Sequence, residues 1–183
     1  MAAVKVCVVG PAGAGKTALC KLLAGRAVPE TPTHDPTEGV RIEEIERDVH
    51  ARTVSVQLWD CSGNLAQDQS SHPALRLGLD ALFLVRDAKD PRGDGALEPW
   101  HDAFAAGRGG AEKALGTERC VVVRVGGDAD DGAAESARAP TGALAGARVV
   151  RGSLHAAAAI EALVAETRAA LDGVLAEVTR DRR

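Results

Sequence analysis

Eight consecutive residues near the start of the chain form a phosphate-binding loop. Gly10-Pro-Ala-Gly-Ala-Gly-Lys16-Thr17 matches the pattern G-x-x-x-x-G-K-[ST] in full, between an apolar run and a helical pattern. The glycines let backbone N–H groups turn inward around phosphates, and the positive end of the helix dipole adds attraction. Lys16 is expected to meet the β- and γ-phosphates, and Thr17 to offer its hydroxyl to Mg²⁺. The residues of this loop predicted to bind nucleotide are Gly10, Ala12, Gly13, Ala14, Gly15, Lys16 and Thr17.

A second polar motif ends an alternating apolar run. In Leu58-Trp-Asp60-Cys-Ser-Gly63, the carboxylate is placed to hold Mg²⁺ through a water molecule. Gly63 is placed to offer a backbone N–H to a γ-phosphate. The pattern D-x-x-G also describes a plain turn, so its specificity comes from its position behind the phosphate loop and a predicted hairpin.

A threonine before the second predicted strand is a candidate nucleotide sensor. Thr37 is positioned to bind Mg²⁺ only when the γ-phosphate is present. Thr31 and Thr33 compete for this role, but Thr37 lies nearest the strand. The predicted metal-binding residues are therefore Thr17, Thr37 and Asp60.

Six apolar runs are predicted to form strands that position these residues. The runs are Val4–Val9, Val40–Val49, Thr53–Trp59, Ala81–Val85, Cys120–Val125 and Ala147–Arg151. The short connection between the second and third runs predicts an antiparallel hairpin. A helix is expected around Leu97–Leu115, and a final helix carries a long apolar stripe from Ile160 to Val178. The pattern predicts a single α/β domain over residues 1–183, in which a mostly parallel six-stranded sheet has one antiparallel edge strand and helices on both faces.

Composition excludes several classes of function. The net charge of −4 disfavours a protein that coats nucleic acid, and two Trp, two Phe and no Tyr offer no stacking platform. No apolar run reaches the roughly 20 residues that cross a bilayer. Ala2 is not the glycine of a myristoylation signal, and the last residues include no cysteine to prenylate. We therefore expect a cytoplasmic protein without nucleic-acid partners or a direct membrane anchor.

Together the three motifs resemble those of the Ras-like small GTPases. The more specific resemblance is to the Rab-like small GTPase subunits of the intraflagellar transport B complex. It is carried by residues 8–17, P-T-E-G-V-R-I at 36–42, L-W-D-C-S-G at 58–63, Pro73-Ala-Leu75, and Trp100 with Phe104. The resemblance implies a Ras-like P-loop domain that binds GTP or GDP with Mg²⁺.

Departures from the family pattern qualify what the resemblance implies. Asn64 stands where a glutamine usually orients the attacking water, so hydrolysis is expected to be very slow. Ala12 replaces a usual loop glycine. Of the guanine-reading N-K-x-D motif only Asp130 is retained, and Ser153 is the retained member of the S-A-K loop. With fewer base contacts, ATP binding beside GTP is expected.

The resemblance also implies partners and a place in the cell. It points to coiled-coil subunits of the intraflagellar transport B complex, bound in the triphosphate form, and to the cilium or flagellum and its basal body. Two alternatives stay open at this point. One is a structural adaptor whose nucleotide never exchanges. The other is a P-loop kinase for a nucleotide or small molecule, although no arginine-rich lid segment is apparent.

Overall fold

The computed structural model describes residues 3–28, 36–65, 72–105, 114–126 and 139–182. Its strands are β1 (Val4–Val9), β2 (Val40–Val49), β3 (Arg52–Cys61), β4 (Ala81–Asp87), β5 (Cys120–Val125) and β6 (Arg148–Gly152). Its α-helices are α1 (Lys16–Leu23), α2 (His72–Arg76), α3 (Glu98–Phe104) and α4 (Ala157–Asp181). Short 3-10 turns cover Gly93–Leu97, Thr117–Arg119 and Gly142–Leu144.

The six strands form one sheet in the order β2-β3-β1-β4-β5-β6. Only the β2–β3 pair is antiparallel among the described strand pairs, and it lies at the edge, as predicted. The hairpin turn is shorter than expected, because only His50 and Ala51 separate the strands. Both residues have positive φ, 49° and 58°, which is the geometry of a two-residue turn that matches strand twist.

The sheet is buried on both faces, which explains why its central strands are continuous apolar runs. One face packs against α1 and α4 through a cluster that includes Val8, Leu19 and Leu171. The other face packs against α2 and α3 through a cluster that includes Trp100 and Phe104. The mostly parallel α/β architecture predicted from the sequence is thereby confirmed.

The predicted helical boundaries need two adjustments. The helix expected around Leu97–Leu115 is α3, which ends at Phe104 and is preceded by a 3-10 turn. Residues 106–113 lie outside the described residues. In α4, the predicted stripe is buried from Leu163 onward except at Val164, which is half-buried like Ile160. Thr167 is buried in the same stripe, and its hydroxyl donates to Leu163 O at 2.6 Å. No helix in the described ranges is both long and apolar enough to cross a bilayer.

Candidate functional site

The phosphate loop occupies the turn between β1 and α1. Gly10 has a φ of +140°, and a Cβ there would lie 1.9 Å from Val85 O, so this position admits only glycine. Gly15 has a φ of 88° and immediately precedes α1. Because glycine has no side chain with which to cap the helix, Gly15 leaves the N–H groups of the first turn available to an anion.

The side chain of Lys16 reaches back to the first residues of the phosphate loop. Its Nζ donates to Gly10 O at 2.9 Å and to Pro11 O at 2.8 Å. Burial lowers the pKa of Lys16, and the nearby carboxylate of Asp60 acts in the opposite direction. The loop carbonyls thus hold the ammonium at the mouth of the loop, where it can meet a phosphate.

Three side-chain oxygens converge beside the loop. Thr17 Oγ1 donates to Asp60 Oδ2 at 2.7 Å, and Thr37 Oγ1 donates to the same oxygen at 3.3 Å. The two hydroxyl oxygens are 3.0 Å apart. The structure therefore brings together all three residues predicted to bind the metal, from α1, from the segment before β2, and from β3.

Asp60 has an environment that fits a cation. It is 2% exposed, and its Oδ1 is buried without a hydrogen-bond partner among the described residues. Burial raises the pKa of Asp60, while hydrogen bonds from Thr17 and Thr37 and the charge of Lys16 oppose the rise. Hydroxyl and carboxylate oxygens together with phosphate oxygens are the ligands that Mg²⁺ prefers. Thr17, Thr37 and Asp60 would hold Mg²⁺ here, Asp60 through water as the motif suggests.

The turn after β3 touches both the phosphate loop and the segment that carries Thr37. A Cβ on Gly63 would lie 2.5 Å from Ala12 Cα, so glycine allows this close approach. The Ser62 N–H donates to Gly39 O at 2.9 Å. Asn64 is exposed, and its backbone N–H donates to Ser62 Oγ at 3.2 Å. Gly63 is thus held against Ala12 of the phosphate loop, with Asn64 as the next residue along the chain.

The Gly39–Ser62 link was missed in the sequence analysis, although a signal for it exists. Val40 is opposite Cys61 in the β2–β3 ladder, so the next pair along is Gly39 with Ser62. A two-residue hairpin turn fixes that register. The runs inferred from the sequence leave three residues between the strands, and that connection does not give the pairing of Gly39 with Ser62.

Of the two residues predicted to contact the base, Ser153 lies within the described residues. Ser153 follows β6, is buried, and accepts a hydrogen bond from the His155 N–H at 3.2 Å. Leu154 packs against the phosphate loop, since its Cδ1 would lie 3.0 Å from a Cβ on Gly15. Asp130 lies outside the described residues, as do Thr31 and Thr33.

An apolar surface lies beside the metal-binding residues. Ile42 on β2 is opposite Trp59 on β3, and Ile42 and Leu77 are the large hydrophobic residues exposed in the described ranges, at 47% and 73%. Lys5 Nζ lies 3.8 Å from the centre of the Trp59 ring and donates to Leu77 O at 3.1 Å. Leu75 is buried in the core cluster under α2 and α3, and Val40 and Trp59 pack against that cluster.

Comparisons with known proteins agree with this geometry. Residues 5–118 match the Roc family, described as the Ras of Complex, Roc, domain of DAPkinase. Intraflagellar transport protein 22 of Chlamydomonas reinhardtii is 37% identical over 66% of this chain and 60% of its own length. Its homolog in Danio rerio is 32% identical over 58% of this chain and 59% of its own. The chain thus matches about 60% of the length of these curated relatives.

Solved structures agree on the fold. A GTP-bound crystal structure of T. brucei IFT22/74/81 includes a chain that matches with a TM-score of 0.73 at 20% identity, over 100% of this chain and 98% of that one. The shared fold, the phosphate loop joined to Thr37 and Asp60, and the family match lead to one conclusion. The chain belongs to the Roc family of Ras-like small GTPase domains.

Proposed function

We propose that this protein, taken as one domain over residues 1–183, binds GTP and GDP with Mg²⁺ as a small GTPase-like subunit of the intraflagellar transport B complex. The observation that carries the nucleotide assignment is the meeting of Thr17, Thr37 and Asp60 oxygens next to Lys16. Chromatography of the nucleotide released from purified protein tests it. A guanine nucleotide at about one per chain supports the proposal, and nucleotide-free protein that also fails to load would refute it.

Different residues of the site bind different parts of a triphosphate. Backbone N–H groups of the phosphate loop and the start of α1 bind the phosphates, and Lys16 neutralises charge on the β- and γ-groups. Thr17 and Asp60 would hold Mg²⁺ in either nucleotide state, and the ion would supply positive charge that offsets the charge of the phosphates. Thr37 lies in a segment outside regular structure, so its contact is the one that responds to the γ-phosphate.

Hydrolysis of GTP by this protein is proposed to be very slow. Asn64 occupies the position from which a longer side chain would orient water, and its backbone is held by Ser62. Asparagine is one methylene shorter than glutamine, so its amide falls short of an in-line water. The function we propose is therefore binding and signalling of a nucleotide state rather than rapid catalysis.

Base selectivity is proposed to be relaxed. The N-K-x-D positions read Gly127-Asp128-Ala129-Asp130, so only one residue of the motif is retained, and Ser153 is already engaged by the His155 N–H. Hydrogen bonds from two guanine donors to a single carboxylate favour binding of guanine over adenine by about 1–3 kcal/mol. ATP is accordingly proposed to bind beside GTP, at lower affinity.

The proposed partners are coiled-coil subunits of the intraflagellar transport B complex. This proposal is supported by the similarity to intraflagellar transport protein 22 and by the structural neighbour, which belongs to an IFT22/74/81 complex. Val40, Ile42 and Trp59 give an apolar surface near the segment that carries Thr37, and Leu77 extends it toward Lys5. Such a surface suits the exposed apolar stripe of a helical partner. The protein would then act in the cytoplasm, at the basal body and in the cilium or flagellum. Equal partner affinity in the GDP and GTP forms would favour a fixed structural adaptor.

A further inference from the structure

Strand alternation gives the β2–β3 hairpin a row of acidic side chains on one face. Ile45 and Val49 of β2 pack with the core cluster under α1 and α4, so the alternate residues of β2 point to the other face of the sheet. Ile42 is one of these alternate residues, and it is exposed. Three others are acidic and exposed, and we call them the acidic column: Glu44, Glu46 and Asp48. Three negative charges thus follow an exposed apolar residue along one strand.

Within the described ranges, no Lys or Arg forms an ion pair with the acidic column. Arg47, the basic residue in this stretch of β2, alternates to the opposite face and pairs with an aspartate of α4. Glu44 accepts a hydrogen bond from Gln57 Nε2 at 3.0 Å. Asp48 accepts one from Thr53 Oγ1 at 2.8 Å. Both donors are neutral, so the column keeps its negative charge.

The lysine of β1 is engaged beside the apolar end of this face. Lys5 is opposite Gln57 of β3, and Gln57 is opposite Glu44 of β2, so the three residues stand side by side. The Lys5 ammonium nevertheless lies 3.8 Å from the centre of the Trp59 ring and donates to Leu77 O at 3.1 Å. A ring face and a carbonyl thus hold this cation, which leaves the charge of the acidic column uncompensated.

Buried charges elsewhere in the fold are paired within it. Arg86 and Arg124 are 1% and 4% exposed. Asp94, in the 3-10 turn before α3, accepts from Arg86 Nε at 2.7 Å and from Arg124 Nε at 3.1 Å. These three charges satisfy one another inside the protein, whereas those of the acidic column face solvent, where a partner can meet them.

The spacing of the acidic column matches one side of an α-helix. Alternate residues of an antiparallel strand are about 6.8 Å apart, and residues four apart on a helix are about 6 Å apart. Over the two intervals from Glu44 to Asp48 the mismatch reaches about 1.6 Å, which the long flexible side chains of Lys and Arg can span. Rows of residues four apart are inclined at roughly 26° to the helix axis, so a matching helix would cross β2 at that angle.

The face of the hairpin suits a partner better than its edge does. β2 is at the edge of the sheet, where a further strand could pair with its backbone. Charged side chains on both faces of β2 disfavour that pairing. They are Arg41, Glu43, Glu44, Glu46, Arg47 and Asp48.

We propose that this face binds a helical segment that carries an apolar residue followed by basic residues at intervals of four. The apolar residue packs on Ile42 and Trp59, and the basic residues lie along the acidic column toward the hairpin turn. The inference rests on the proposed function, because the helix belongs to a coiled-coil subunit of the intraflagellar transport B complex. It adds the charge and the direction of the helix that this surface selects.

The middle of the acidic column gives a matched pair of variants. Glu46→Lys reverses a charge in the column, and Glu161→Lys makes the same change at an exposed residue of α4, which packs on the opposite face of the sheet. The full chain is loaded with a non-hydrolysable GTP analogue and Mg²⁺ and titrated calorimetrically with the coiled-coil subunits. In about 50 mM salt, we expect the affinity to fall about tenfold in Glu46→Lys and to stay unchanged in Glu161→Lys.

Salt concentration gives a readout that damaged packing would not change. In about 0.5 M salt, the affinities of Glu46→Lys and the parent should agree within about twofold, because salt screens exposed charges. A tenfold gap that persists in high salt would overturn the inference. Equal affinity of the two variants at low salt, the result expected if the partner pairs with the edge of β2, would overturn it and leave the proposed function standing. A parent protein that does not bind the subunits would overturn both.

Discussion

The hydroxyl oxygen of Thr37 lies 3.0 Å from that of Thr17, although the two residues are 20 positions apart. Both hydroxyls also point to Oδ2 of Asp60. This arrangement joins the start of α1, the segment before β2 and the end of β3 at one point. A change at any of the three positions is therefore transmitted to the other two.

Lys16→Ala should remove nucleotide binding. The variant deletes the charge that meets the β- and γ-phosphates, and we expect affinity for GTP to fall at least about 100-fold. Calorimetric titration measures this directly. Lys21→Ala is the control, because Lys21 lies in the last turn of the same helix, and it should bind as the parent protein does. An unchanged affinity of Lys16→Ala for GTP would contradict the assignment of the phosphate loop.

Thr37→Ala should separate the two nucleotide states. Loss of a metal-binding oxygen should weaken binding of GTP with Mg²⁺ by about 10- to 100-fold and leave GDP affinity nearly intact. Binding to the coiled-coil partner should weaken in parallel. Thr53→Ala, at the exposed end of the β2–β3 hairpin where Thr53 contacts Asp48, is the matched control. If Thr37→Ala left partner binding unaltered, the protein would be an adaptor rather than a switch.

Asn64→Gln should speed hydrolysis. We expect the parent protein to turn over GTP at or below about 10⁻⁴ per second, and the longer amide to raise the rate about tenfold by reaching the attacking water. Asn64 is exposed, so the substitution fits without repacking. Single-turnover release of phosphate measures both rates. Fast hydrolysis by the parent protein would contradict the explanation that Asn64 is too short to orient water. A variant that hydrolyses GTP no faster than the parent would contradict it as well.

Competition between GTP and ATP tests the proposed base selectivity. If Asp130 is the main residue that reads the base, GTP should be preferred by roughly 5- to 150-fold, the equivalent of 1–3 kcal/mol. Asp130→Asn should then bring the two affinities close together. A preference above about a thousandfold would mean that further base contacts exist.

Asp94→Ala should destabilise the fold much more than the exposed control Asp102→Ala. Two buried arginines would lose their carboxylate, which costs about 3–5 kcal/mol of unfolding free energy. The folded pKa of Asp94 lies below its unfolded value, so its stabilisation is complete above about pH 4 and is lost as the pH falls through the folded pKa. Chemical denaturation at pH 7 and pH 3 checks both statements. The difference between the Asp94→Ala variant and the parent should shrink at the lower pH.

Much of the fold and of the phosphate site follows from the sequence, because both depend on local patterns. β-branched runs predicted β1 and β5 to the residue, and the phosphate loop is a contiguous motif. The ion pairs of Arg86 and Arg124 with Asp94 could not be predicted from the sequence. Both arginines stand beside apolar residues of a strand, as exposed residues often do, and they meet Asp94 only through tertiary structure. The end of α3 was also predicted wrongly, at Leu115 instead of Phe104. Helix propensity alone does not determine the residue at which a helix ends.

The central claim is that Thr17, Thr37 and Asp60 form a magnesium-dependent triphosphate site. It is tested most directly by calorimetric titration of nucleotide-free protein with a non-hydrolysable GTP analogue, in buffer with Mg²⁺ and in buffer with EDTA. We predict one site per chain, with affinity at least about tenfold weaker when Mg²⁺ is removed. No saturable binding, or the same affinity in both buffers, would contradict the claim.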